Sequence, residues 1–85
     1  MSQWDKLIEE ILKLNKNLRF EDLAKALIRM GYAQHQPKGG SSHHTFRKDG
    51  KMPITLPKAT QMNKVYVEMV RDAVLDFESE EMDDE

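Results

Sequence analysis

In the first third of the chain apolar residues recur at spacings of three and four. Trp4, Leu7, Ile8, Ile11 and Leu12 share one face of a helix over about residues 3–14. Phe20, Leu23, Ala24, Leu27 and Ile28 share one face of a second helix, and Asn15, Lys16 and Asn17 interrupt the pattern between them. Ser2 with Asp5 three places on forms a capping pair for the first helix. In the second, Glu21 and Asp22 sit near the positive N-terminal end, and Gly31 provides the stop. Neither helix exposes a basic face, which argues against a helix-turn-helix that reads DNA.

The period then changes from helical to alternating. Residues 32–36 are predicted as a short first strand. Over residues 42–47 a strand places His44 and Phe46 on one side and His43, Thr45 and Arg47 on the other, so a buried Phe46 turns His43 and Arg47 outward together. Asp49-Gly50 predicts a tight hairpin turn, because glycine tolerates the positive φ such a turn requires. Met52, Ile54 and Leu56 alternate with Pro53 and Thr55 in a third strand that Pro57 ends, and Pro53 suits an edge or a strand start because it has no N–H to donate. Asn63 is the expected cap of a last helix whose stripe is Tyr66, Met69, Val70, Ala73, Val74 and Phe77. The order predicts an α+β fold, an antiparallel three-stranded sheet covered on one face by helices with the other face open. Residues 1–77 form a single domain, with 1–18 an N-terminal helical extension and 19–77 the core. Residues 78–85, ESEEMDDE, hold six acids and are expected to be a disordered tail.

Composition narrows the function classes. The chain has 85 residues, enough for one small core, and 39% hydrophobic residues with no run long enough to cross a bilayer. An acidic N-terminus without a signal-peptide pattern leads to the expectation of a cytoplasmic protein, and the lack of cysteine removes disulfides, zinc thiolates and a thiol nucleophile. The net charge of −2 conceals a division. Residues 1–31 sum to +1, residues 32–64 to +5 and residues 65–85 to −8, so a cationic middle is available to phosphates.

Candidate chemistry concentrates in that middle. His43 and His44 are adjacent on a strand, so they point to opposite faces and cannot easily share a metal ion, and His35 has no carboxylate close in sequence to complete a ligand set. The plain reading of His44 is a partly buried sheet residue, and that of His43 an exposed strand histidine. The functional reading of His43 is an acid/base in RNA cleavage. There an imidazole takes the proton of the 2′-hydroxyl, the oxygen attacks the adjacent phosphate, and cations such as Arg47, Lys38 or Lys58 stabilise the charge that builds. The reaction uses the substrate's own nucleophile and calls for no metal or cofactor. The Gly39-Gly40 loop can bring backbone N–H groups to a phosphate, although such a pair before a strand is more often only a turn. The serines have no companion acid for a triad.

The blocks FEDLAKAL, RMGY, PKGGSSHHTFRK, PITLP and KVYVEMVRDAV, in this order over residues 20–77, resemble the HicA (YcfA-like) family of mRNA interferase toxins. A helix like that over residues 3–14 precedes the domain in part of that family. The resemblance implies a fold like the double-stranded-RNA-binding domain, translation-independent mRNA cleavage, and a HicB-type antitoxin that covers the catalytic histidine. It places that histidine at His43, with Ser42 in the serine position and Gly40, Lys38, Arg47 and Lys58 around the RNA. Where the family has glycine directly before Ser-His this chain has Ser41, with Gly39-Gly40 one step earlier, which implies a loop one residue longer. The leading expectation is therefore a metal-independent endoribonuclease toxin. A noncatalytic RNA-binding module of the same fold is the alternative, and a protein-interaction domain a third. The tail is expected to be a solvated solubility segment, with competition against RNA for the basic face as the other reading.

Overall fold

The computed structural model describes residues 3–35, 43–58 and 62–82. Its elements are α1 (Gln3–Leu12), α2 (Phe20–Arg29), β1 (Ala33–His35), β2 (His43–Arg47), β3 (Ile54–Pro57) and α3 (Lys64–Met82). The three strands form one antiparallel sheet in the order β1-β2-β3.

Both N-terminal helices end where the chain enters the left-handed region, and they do so in the same way. At the end of α2, Gly31 has φ 104°, its N–H donates to the Ile28 carbonyl, and the Tyr32 N–H donates to the Leu27 carbonyl. At the end of α1, Leu14 takes the glycine's part with φ 58°, its N–H donating to Ile11 and that of Asn15 to Glu10. A leucine is disfavoured at such a position by roughly 1–2 kcal/mol. Here its side chain packs against the core, and the Asn15 amide donates to the Glu10 carboxylate, which offsets that cost. α2 begins at Arg19, whose N–H donates to Asp22 Oδ2 at 3.0 Å; arginine has no side-chain acceptor, so only this half of a capping box forms. The expected cap of α3 is present, with Asn63 Oδ1 accepting from the Val65 N–H at 3.2 Å.

α2 and α3 pack on one face of the sheet, and α1 packs against those two helices. Ile8 and Ile11 from α1, Leu23 and Leu27 from α2, and Val67, Val70 and Val74 from α3 enclose Phe46, Ile54 and Leu56 from the strands. Leu18 and Met62, in the connections, are also buried. The arc of α2 that is buried is wider than a single stripe, because α1, α3 and β1 all contact this helix. Ala26 and Met30 join the core as a result, while Ile28, expected inside, lies at the rim and is 49% exposed. Leu12, at the last turn of α1, is also exposed.

Four boundaries differ from those expected, the first being α1, which ends at Leu12 rather than at residue 14. β1 begins at Ala33 rather than at residue 32, and residue 36 of the expected strand lies outside the described residues. β3 starts at Ile54, and Met52 is 82% exposed, because the turn over residues 48–51 closes with Lys51 N–H donating to the Lys48 carbonyl and leaves Met52 before the ladder. Residues 78–82, expected to be disordered, continue α3 to Met82. Extending an existing helix needs no new nucleus, and Lys51 at the hairpin reaches Asp76 and Glu80, one turn apart on α3, at 2.6 Å each. Residues 83–85 of that expected tail lie outside the described residues.

Candidate functional site on the open sheet face

β2 alternates as its sequence requires. His44 and Phe46 are buried, Thr45 is half-buried, and His43 and Arg47 are exposed. Register carries the pattern across the sheet. Ala33 pairs with Arg47 and His35 with Thr45, while Pro57 pairs with His43 and Thr55 with Thr45. Residues in register share a face, so the open face holds Ala33 and His35 from β1, His43, Thr45 and Arg47 from β2, and Thr55 and Pro57 from β3. At its centre the Thr45 and Thr55 hydroxyls lie 3.1 Å apart, a cross-strand hydrogen bond that ties β2 to β3.

His43 thus opens β2 on the uncovered side. Lys58, also exposed, directly follows its partner Pro57. Arg47 is on the same face but four residues further along. At a rise of about 3.3 Å per residue the two Cα atoms are about 13 Å apart, the reach of neighbouring phosphates on a strand rather than of one phosphate. At the Arg47 end a shallow depression of about 430 Å³ lies between Ala33, His35, Arg47, Pro53 and the turn; His43 is not part of its wall. Lys38, Gly40 and Ser42, the other residues assigned to RNA from sequence, lie outside the described residues.

His44 belongs to the other side of the strand. It is 6% exposed, its ring centroid 5.0 Å from that of Phe20, and Gln34 Nε2 donates to its Nδ1 at 3.2 Å. This is a packed core histidine.

Two cations of the +5 segment are committed elsewhere. Lys48 donates to the Met30 carbonyl at 2.8 Å and lies over the Tyr32 and Phe77 rings, at 5.7 and 5.1 Å from their centroids, closing the junction of α2, β1 and α3. Lys51 holds Asp76 and Glu80, and its hydrogen bonds to these two carboxylates, Asp76 first, keep the ammonium above its ordinary pKa. The sequence pattern gave no sign of this, since both lysines belong to a run that reads as one basic patch. Among the described residues no three His, Asp or Glu side chains converge as a metal site would require. His35, considered from sequence only as a third imidazole, is on the open face beside His43; the strand register that puts it there cannot be read across residues 36–42.

No family model, no curated protein and no solved structure matches this chain. No described helix is long and apolar enough to cross a membrane.

Proposed function

We propose that this protein is a metal-independent endoribonuclease acting on mRNA, with His43 as the acid/base, Arg47 and Lys58 holding phosphates of the strand, and Lys38, Gly40 and Ser42 completing the RNA contacts. In this reading it is the toxin of a HicA-like pair with a double-stranded-RNA-binding-like fold, it works in the cytoplasm, and a HicB-type antitoxin neutralises it by covering the open face. The observation that carries the reading is an exposed imidazole at the start of β2, on the uncovered face, with an exposed arginine on the same strand face. Imidazole changes protonation near neutrality, and cations beside it favour both the approach of a phosphodiester and the charge of its transition state.

The reaction needs little else. The 2′-oxygen forms a bond to phosphorus, the bond from phosphorus to the 5′-oxygen breaks, and the products end in a 2′,3′-cyclic phosphate and a 5′-hydroxyl. Purified protein is expected to cut single-stranded RNA in EDTA and leave those ends. Binding without products would instead select the noncatalytic RNA-binding module. That alternative is favoured by the wide spacing of Arg47 from His43, which suits tracking of successive phosphates. Its signature is affinity that falls steeply with salt as counterions are released. Absence of any RNA binding at low salt would overturn both.

A further inference from the structure

The cleavage just described requires two proton movements, and one histidine performs only one of them at a time. The 2′-hydroxyl loses a proton as its oxygen attacks, and the departing 5′-oxygen gains one as its bond to phosphorus breaks. A second group within reach of the same phosphate has few candidates among the described residues of the open face. Arg47 is about 13 Å from His43 along β2 and holds its proton permanently, so it stabilises charge without transferring protons. Lys48 and Lys51 are engaged by Met30, Asp76 and Glu80. The Thr45 and Thr55 hydroxyls bond each other.

His35 remains. It pairs with Thr45, which puts it on the same face as His43 and diagonal to it across β1 and β2. Diagonal neighbours on one face are about 7–8 Å apart, and a phosphate group with a hydrogen bond of about 2.8 Å on either side fills that gap. Both side chains are exposed. The described helices pack on the other face, and the charged side chains near the two imidazoles are Arg47 on the face itself, Lys58 after Pro57, and Lys48, Asp49 and Lys51, which line the depression beside His35.

We propose that His35 is a second catalytic residue, the acid that protonates the 5′-oxygen while His43 takes the proton of the 2′-hydroxyl. The assignment rests on the ribonuclease reading above. In the step, the 2′-oxygen to phosphorus bond forms and the phosphorus to 5′-oxygen bond breaks. One proton goes from the 2′-hydroxyl to His43 and one from His35 to the 5′-oxygen. The two rings finish in exchanged protonation states, which water restores before the next turnover, and no oxidant, metal or further reactant takes part. Arg47, diagonal to His35 on its other side, holds the next phosphate of the chain.

The test compares an RNA oligonucleotide at its mapped cleavage linkage with the same oligonucleotide carrying sulfur in place of the bridging 5′-oxygen there. A thiolate leaves without being protonated, so the second substrate has no need of the acid. His35→Gln is expected to slow the normal linkage by about 10²-fold and to leave the sulfur-bridged one near the wild-type rate. His43→Ala is expected to slow both. If His35→Gln slows both linkages equally, or neither, His35 is not the acid and the proposal is overturned while His43 keeps its role. If the wild-type protein cuts neither, the ribonuclease reading itself fails, and the assignment of His35 with it.

Discussion

His43 and His44 follow one another on β2, yet one ring is exposed on the uncovered face and the other is 6% exposed between Phe20 and Gln34. The pleat of the strand alone separates them. Residue type therefore does not decide which imidazole is available to a ligand; parity along the strand does, once Phe46 has fixed which side is the core. Even-numbered positions of β2 carry stability, and odd-numbered positions face the open side. The two properties should consequently respond to different substitutions within a single five-residue strand.

The largest expected effect on the covered side comes from Phe46, which is fully buried against the helices. Phe46→Ala should cost about 3–5 kcal/mol in denaturant unfolding, enough to leave so small a domain largely unfolded. His44→Ala removes a packed ring and leaves the Gln34 amide without its acceptor. A loss of about 1–3 kcal/mol is expected, with the cleavage rate per folded molecule unchanged. A His44 variant that folds normally and has lost cleavage would break the division between the faces.

The cations sharpen the same comparison. Arg47→Ala should reduce the slope of log affinity for RNA against log salt by about 1, whereas Lys51→Met should leave that slope alone. What Lys51→Met should change instead is amide-exchange protection over residues 78–82, since the hairpin then no longer holds Asp76 and Glu80. An equal loss of salt dependence in both variants would mean that the +5 segment acts as one undivided patch.

The smallest effect lies at the alkaline end. Burial, with Asp76 adding to it, raises the Tyr32 phenol above its usual 10, and Lys51 is held above its ordinary value as well. In both cases the folded chain keeps a proton that the unfolded chain loses first. Their contribution is therefore complete below about pH 10 and is lost as pH rises through the folded-state values. Unfolding midpoints measured from about pH 10 upward should fall, and a rise would contradict these contacts.

Much of this arrangement was legible in the residues. The strand over His43–Arg47 could be read because a period of two has only two settings and Phe46 selects one. The turn could be read because Asp49-Gly50 names its own geometry, and Gly50 does take φ 79°. Asn63 marked the start of α3. Register was not legible, because seven residues separate β1 from β2 and nothing in them says that His35 lies opposite Thr45. The fate of the lysines was hidden for a similar reason. Lys48 and Lys51 meet Met30, Asp76 and Glu80 only after the hairpin has folded onto α2 and α3. Nor could the apolar pattern anticipate helix in residues 78–82, since residues 78–80 are exposed and gain a continuing helix and, at Glu80, an ion pair.

The most direct measurement places the two adjacent histidines in one experiment: RNA cleavage in EDTA and thermal unfolding for the wild-type chain, His43→Ala and His44→Ala. His43→Ala is expected to keep its unfolding midpoint while losing cleavage by about 10²–10⁴-fold, and His44→Ala to melt earlier while each folded molecule still cuts. Cleavage that survives intact in His43→Ala would contradict the role given to His43.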